Sequence, residues 1–392
     1  MIPVAAAKLK RPILPSLALA LLLAVPVLGA EQAKPFAAVL QPLVDKGELA
    51  GAVVLAADKE KVLAEEAVGW ADVEAQTAMR TDALFWIASM SKPLTGTGLM
   101  MLVDEGKLSL DDPVEKYLPE FKTQMVIAEK SADHLLLKKP ARPVTVRNVM
   151  SHTSGLPFLG PFEPRIDMFP LRERCLAYSL LPLNSQPGTK YAYSNCGIDT
   201  GGRIIEVVSG LSYADFMDQR LFKPLGMKDT TLWPSQEQIA RLPKCYKSGP
   251  KGKGLLQTPM PFMTYPLTDR RRTVSPGGGY FSTASDLAIF GRMILGGGVW
   301  QGKRYLSEAA IKQMTAKQTG ELPQQYGVGW AVDAKGEGFG HGGACATQIW
   351  IDTKRGLVTV FMVQAQGFPG EGGKSWPMFK QAAERLSDQV SD

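Results

Sequence analysis

Apolar residues change their period several times along this chain, and each change marks an element. Over residues 34–46 they recur every three to four positions and stop at Gly47, the pattern of a helix with a glycine end. Residues 51–57 and 61–64 are short apolar runs separated by Asp58-Lys59-Glu60, which predicts two strands and a turn. A helical apolar stripe runs from Leu94 to Val103 behind Ser89-Met90-Ser91-Lys92, and Pro93 falls early enough for its missing N–H to be tolerated. Asp111-Asp112-Pro113 opens another short helix, and residues 123–143 are charged and irregular, as in a surface insertion. Mostly helical segments broken by Pro and Gly fill residues 144–242. Residues 245–275, with Arg270-Arg271-Arg272, have the composition of a long solvated crossover. A helix over 285–295, strands at 326–332, 346–352 and 357–363, and a helix over 377–386 complete the chain.

Strands at both ends with helices between predict an α+β fold: an antiparallel β-sheet flanked by helices, built from both termini, with a mostly helical domain inserted. The corresponding division is a sheet subdomain at 31–105 and 276–392 and a helical subdomain at 106–275. Residues 1–30 have the layout of an export signal. Basic residues end at Arg11, an apolar run extends from Ile13 to Leu28, and small residues at Gly29-Ala30 precede Glu31. The run holds Pro15 and Pro26 and falls short of the roughly 20 residues a spanning helix needs, so cleavage near Ala30 and a periplasmic or secreted protein without a stable membrane anchor are expected.

Composition narrows the partners. The formal charge is +6, but Lys8, Lys10 and Arg11 supply half of it, and no basic block stands out further on, so nucleic acid is not an expected partner. Four cysteines, Cys175, Cys196, Cys245 and Cys345, fit no zinc spacing and are expected as buried free thiols.

Ser89-x-x-Lys92 carries the clearest chemistry. Positions i and i+3 share a helix face, so the hydroxyl and the amine can meet as nucleophile and base. A second match, Ser248-Gly249-Pro250-Lys251, is a turn, because Gly and Pro forbid the helix that would bring its ends together. Tyr193-Ser194-Asn195 follows a Pro-Gly turn and offers a phenol and an amide. His341-Gly342-Gly343-Ala344 precedes a strand, where glycines admit a close substrate and the Ala344 N–H can face a developing oxyanion. No Gly-x-Ser-x-Gly elbow occurs, and the segment Gly367 to Ser375 lacks the first glycine of a phosphate-binding loop.

Ser-x-x-Lys, then Tyr-x-Asn about a hundred residues later, then a Gly-rich strand opened by a basic residue, resembles the serine β-lactamase and penicillin-binding superfamily. Phe85-Trp86-Ile87-Ala88-Ser89, Ser151-His152-Thr153-Ser154-Gly155 and Gly278-Gly279-Tyr280-Phe281-Ser282 add to the likeness, which extends from about residue 35 to the C-terminus. Within it the chain is similar to class C β-lactamases, their esterase relatives, D-alanyl-D-alanine carboxypeptidases and D-aminopeptidases. The resemblance implies Ser89 as acylated nucleophile, Lys92 as base, and Tyr193 in the proton traffic. It implies Asn195, His341, Gly342 and Gly343 as substrate-binding residues, and the backbone N–H groups of Ser89 and Ala344 as oxyanion hole. His152 would brace the fold, and His134 carries no role.

His341 stands where class C β-lactamases have the lysine of Lys-Thr-Gly. A lysine provides a fixed charge for a substrate carboxylate, whereas histidine is mostly neutral near pH 7. The expected activity is therefore that of an exported serine hydrolase cleaving small carboxylic esters or amides through an acyl-serine, with no cofactor and no metal. A cell-wall carboxypeptidase or D-aminopeptidase acting on peptidoglycan peptides is the alternative, favoured by His341 because the resemblance places His-x-Gly in the peptidase branch, and a non-catalytic peptidoglycan-binding scaffold is a third reading from another class. A β-lactam remains among the candidate small-molecule substrates.

Overall fold

The computed structural model describes residues 1–5, 34–160 and 165–391, so the expected export run and its cleavage position lie outside the described residues. Seven strands form the main sheet. Gly51–Ala57 (β1), Val62–Asp72 (β2) and Thr77–Ala78 (β3) come from the first part of the chain. Ala331–Val332 (β4), Gly338–Gly342 (β5), Gln348–Asp352 (β6) and Leu357–Met362 (β7) come from the last. Their order is β4-β5-β6-β7-β1-β2-β3 with antiparallel neighbours throughout, and β1 pairs with β7 in the middle, Val53 opposite Met362. Among the described residues, 106–275 contribute no strand to this sheet.

Both faces of the central strands are covered, which is why β1 and β7 are buried at every position and apolar but for Thr359. Val53, Leu55, Val358 and Val360 pack into one core, and Ala52, Val54, Leu357 and Phe361 into the other. Helices Pro35–Asp45 (α1) and Ser375–Ser391 (α5) cover the second face, with the Phe36 and Phe379 rings edge-to-face at 5.0 Å. The Glu66 carboxylate of β2 accepts from the Ala37 N–H at 2.7 Å, placing an anion at the positive end of α1.

On the first face lie Ser91–Asp104 (α2), Asn195–Ser209 (α3) and Ala284–Leu295 (α4). The sequence predicted a one-sided stripe for α2, but every residue from Ser91 to Leu102 is buried, as in a helix packed on all sides. Gly96 permits this, since a Cβ there would stand 2.2 Å from the Val328 carbonyl oxygen. The consequence is that Ser89, just ahead of α2, is fixed from below by a helix buried on every side.

Several segments depart from the sequence reading. Residues 123–143 contain a hairpin, Val126–Lys130 with Leu135–Lys138, whose two-stranded register is too short and too exposed to leave a period. Asp111-Asp112-Pro113 leads only into a 3-10 turn, Val114–Lys116. The 326–332 run is a strand only at Ala331–Val332, with Tyr326 held by a single bridge to Ala331. The 245–275 segment is not a plain solvated loop. Tyr246–Ser248 and Leu255–Gln257 pair as a hairpin, and Ala365–Gln366 joins it in parallel. Arg272 is buried against Asp167 at 2.6 Å, although neighbouring Arg271 is exposed. Lys251 of the discarded second Ser-x-x-Lys has φ 57°, a turn conformation.

Candidate active site

Ala88, which precedes the nucleophile candidate, has φ 45°, a left-handed conformation that costs free energy in a residue with a Cβ and is typical of functional turns. It lets the short strand Phe85–Trp86 turn directly into the 3-10 turn Ala88–Met90 and then α2. Ser89 is thereby half-buried at the helical start, where backbone N–H groups have no intrahelical acceptor. One turn on, Lys92 is fully buried, and its Nζ lies 3.0 Å from Ser89 Oγ and 2.6 Å from the Gly277 carbonyl oxygen. Burial disfavours the ammonium form and pushes Lys92 down to about 7, with the Asp199 carboxylate opposing that fall. A neutral amine that donates to Gly277 keeps its lone pair for the Ser89 hydroxyl.

The Gly277 carbonyl is itself anchored. Thr95 Oγ1 donates to Pro276 O at 2.7 Å, Trp86 Nε1 to Gly278 O at 2.7 Å, and the Tyr280 N–H to Ser91 Oγ at 3.2 Å. The Gly277 N–H donates to Asp199 Oδ1 at 3.0 Å, and Asp199 Oδ2 accepts from the buried Arg174 at 2.8 Å. Residues 276–280 are therefore a strap held on both sides, and Lys92 is oriented by a backbone group rather than by another side chain.

Tyr193 lies on an extended segment, and Ser194 caps α3 by accepting from the Gly197 N–H at 2.9 Å. Lys92 Nζ sits 4.7 Å from the Tyr193 ring centroid, over its face. Burial pushes the Tyr193 phenol up, against the effect of its hydrogen bond with Ser89, so it is a protonated group at neutral pH. His152, with φ 60°, packs tilted against the Tyr193 ring with centroids 4.3 Å apart, and its Nδ1 accepts from the Ser194 N–H at 3.1 Å. Asn195 is the first residue of α3, and its buried Oδ1 has no hydrogen-bond partner, while Lys92 bonds to Ser89 and Gly277.

His341 is buried on β5 with a defined tautomer. Its Nδ1 faces the Gly342 carbonyl at 2.7 Å and must donate, which leaves Nε2 to accept from the Tyr326 hydroxyl at 2.9 Å. The Tyr193 hydroxyl stands 3.5 Å from the same Nε2. Desolvation, with the Lys92 charge in second place, pushes His341 down to about 3, so the imidazole is neutral at physiological pH.

Beyond β5 the chain makes a tight turn. The Gly343 N–H donates to Thr347 O at 2.7 Å and the Ala346 N–H to Gly343 O at 3.0 Å. A Cβ on Gly343 would meet Thr347 Oγ1 at 2.1 Å and Ile87 O at 2.5 Å, so only glycine brings this turn so close to the segment entering Ser89. Ala344 is exposed at the tip and shares with Ser89 a cleft of about 340 Å³, open mouth included. Trp86, Phe158, Ile166 and Phe262 form its apolar walls and Asn195 a polar one, and among the described residues no lysine or arginine lines it.

The sequence-predicted residues thus converge, with Ser89, Asn195 and Ala344 on one cleft and Lys92, Tyr193 and His341 around it. Sequence reasoning missed Tyr326, Asp199, Arg174 and the Gly277 carbonyl. Tyr326 lay in a stretch assigned to a strand, and the other three act across more than twenty residues of separation through packing that leaves no local pattern.

Known proteins bear on this geometry. The Beta-lactamase family model matches residues 36–383. Rv1367c of Mycobacterium tuberculosis is 32% identical over 312 residues, 77% of this chain and 76% of that one. Penicillin-binding protein 4 of Amycolatopsis lactamdurans is 32% identical over 69% of each chain, and esterase EstB of Burkholderia gladioli is 31% identical over 49% of each. Among solved structures, EstCE1, described as a hydrolase with promiscuous acyltransferase activity, superposes with a TM-score of 0.73 at 23% identity, covering 90% of this chain and 98% of that one. The match across nearly all of the folded chain settles its membership: this protein belongs to the Beta-lactamase family, whose fold it shares with penicillin-binding proteins, esterases and carboxypeptidases.

Proposed function

We propose that this protein is an exported serine hydrolase that cleaves small, uncharged carboxylic esters through an acyl-Ser89 intermediate. The observation that carries the reading is the Ser89–Lys92 pair at 3.0 Å with the amine pushed down to about 7, a base that is half unprotonated where it is needed. Ser89 Oγ attacks the ester carbonyl as its proton passes to Lys92 Nζ. The carbonyl oxygen, now negative, is held by the Ser89 and Ala344 N–H groups, each worth about 3 kcal/mol in the transition state. Tyr193, protonated at neutral pH, hands a proton to the departing alkoxide and is replenished from Lys92. Water then attacks the acyl-enzyme as its proton passes to Lys92 Nζ, Lys92 returns that proton to Ser89 Oγ as the acyl bond breaks, and the acid leaves.

Neutrality of His341 and the apolar cleft walls support an uncharged substrate, because a carboxylate entering the cleft would lose hydration with no fixed cation to receive it. Export rests on the N-terminal sequence, with its basic start, apolar run and small residues before Glu31. A second reading, cleavage of D-amino-acid peptides, draws on the partnerless Asn195 Oδ1, which would accept an amide N–H. Comparing kcat/KM for a neutral butyrate ester, the corresponding succinate half-ester and a D-alanyl-D-alanine peptide tests the order. The neutral ester is expected to lead by at least about tenfold, and preference for either carboxylate-bearing substrate would overturn the assignment.

A further inference from the structure

Cys245 and Cys345 are a hundred residues apart in sequence, yet their sulfurs stand 3.9 Å apart, both as free thiols. Cys345 is the third residue of the turn Gly343 to Ala346, directly after Ala344. Its carbonyl accepts from the Ala365 N–H at 3.1 Å, and Ala365 pairs with Tyr246, the neighbour of Cys245, so one short strand clamps both cysteines. The two sulfurs share a core cluster with Trp86 and Ala88, on the segment that enters Ser89.

Access differs between the two. Cys345 is fully buried, whereas Cys245, itself only 5% exposed, lines a second, open groove of about 1250 Å³, open mouth included, between Ile239, Leu242, Met260 and Tyr265. Gln366 Nε2 donates to Cys245 Sγ at 3.5 Å, favouring its thiolate. The hydrogen bond from Cys345 holds Cys245 below the ordinary thiol range, and the same contact pushes Cys345 up. A more acidic thiol at the floor of an open groove, backed by a fully sheltered one, is the arrangement of an attacking and a resolving cysteine.

We propose that Cys245 and Cys345 form a reversible disulfide, made by exchange with a small external disulfide through the second groove, and that it shifts the turn presenting the Ala344 N–H. In the first step the Cys245 thiolate attacks one sulfur of glutathione disulfide, forming a Cys245–glutathione bond and releasing one glutathione thiolate. In the second, Cys345 attacks the Cys245 sulfur and releases the other. The two protons lost by the cysteines end on the two glutathiones, which carry the electrons. Closing the gap draws the sulfurs together by about 2 Å, and Cys345 takes its turn with it.

The test treats the full-length protein with glutathione disulfide, alkylates remaining thiols after denaturation, and maps unreduced peptides. A Cys245–Cys345 cross-linked peptide is expected, with the protein lighter by two hydrogens. Cys345→Ser should stop at a glutathione adduct on Cys245, and Cys245→Ser should keep its turnover before and after treatment. Ester turnover of the oxidised wild type should fall about tenfold, less than the ~100-fold that outright loss of one oxyanion donor costs, and dithiothreitol should restore it. Alkylation of both thiols in the treated wild type overturns the proposal, as does a cross-link that leaves turnover unchanged. Only the turnover arm rests on the acyl-Ser89 reading; absence of turnover in both redox states would sink that reading and leave the peptide map to decide the disulfide.

Discussion

Ionisation of Lys92 gives the most demanding prediction. A lysine in water titrates near 10.5, and burial of this one pushes it to about 7, a penalty on the folded ammonium of about 5 kcal/mol. The free enzyme's kcat/KM for a neutral ester should therefore rise about tenfold between pH 6 and pH 8 and then level off, as the unprotonated fraction goes from about a tenth to about nine tenths. Lys92→Arg keeps the charge permanently and should cost about 10²- to 10⁴-fold across the whole range. Stability follows with a definite sign. Between pH 7 and 10.5 the unfolded chain binds the proton that the folded one has released, so stability rises with pH there, and the penalty is complete below pH 7. Lys92→Met removes it but strands the Gly277 carbonyl, at about 1–3 kcal/mol, for a net gain of about 2–4 kcal/mol at pH 6 that vanishes or reverses towards pH 10. Urea denaturation at the two pH values measures this. A flat rate profile from pH 6 to 8, or a Lys92→Met protein less stable than wild type at pH 6, would refute the reasoning.

Tyr193→Phe should lower kcat by about 10²- to 10⁴-fold with little change in KM, because the ring and its packing against His152 remain while the relay hydroxyl is lost; steady-state kinetics separate the two. Asp199→Ala removes a buried carboxylate that accepts from both Arg174 and the Gly277 N–H and should cost about 3–5 kcal/mol in denaturant unfolding. In whatever fraction stays folded it should also move the rate midpoint to lower pH, since Asp199 holds Lys92 up. Gly343→Ala puts a Cβ against Thr347 Oγ1 and Ile87 O, so turnover should fall by more than about tenfold with circular dichroism little altered.

Much of the site was legible because its parts are local. Ser89 and Lys92 are one helical turn apart, Tyr193 and Asn195 flank an N-cap, and Gly342-Gly343 marks a close backbone approach, each of which leaves a pattern within a few residues. The sheet was legible for the same reason at β1 and β7, whose residues are buried on both faces, and at β6, where Ile349 and Ile351 alternate with less buried residues. What escaped is held from a distance. The strap that orients Lys92 depends on Asp199 and Arg174, and nothing in the neighbourhood of either announces Gly277. Tyr326 looked like a strand residue because its neighbours are apolar, and only the fold brings its hydroxyl to His341. Arg272 was grouped with its exposed neighbours by composition, whereas Asp167, in a different loop, draws it inside. The 123–143 hairpin was missed because two short strands exposed on both faces have no reason to alternate.

The central claim is that Ser89 is the acylated nucleophile. Intact-mass spectrometry after exposure to a fluorophosphonate tests it directly. The account predicts one adduct per chain, on the peptide holding Ser89, formed faster at pH 8 than at pH 6, and absent from Ser89→Ala. A wild-type protein that stays unlabelled, or a Ser89→Ala protein that labels or hydrolyses esters like the wild type, would contradict it.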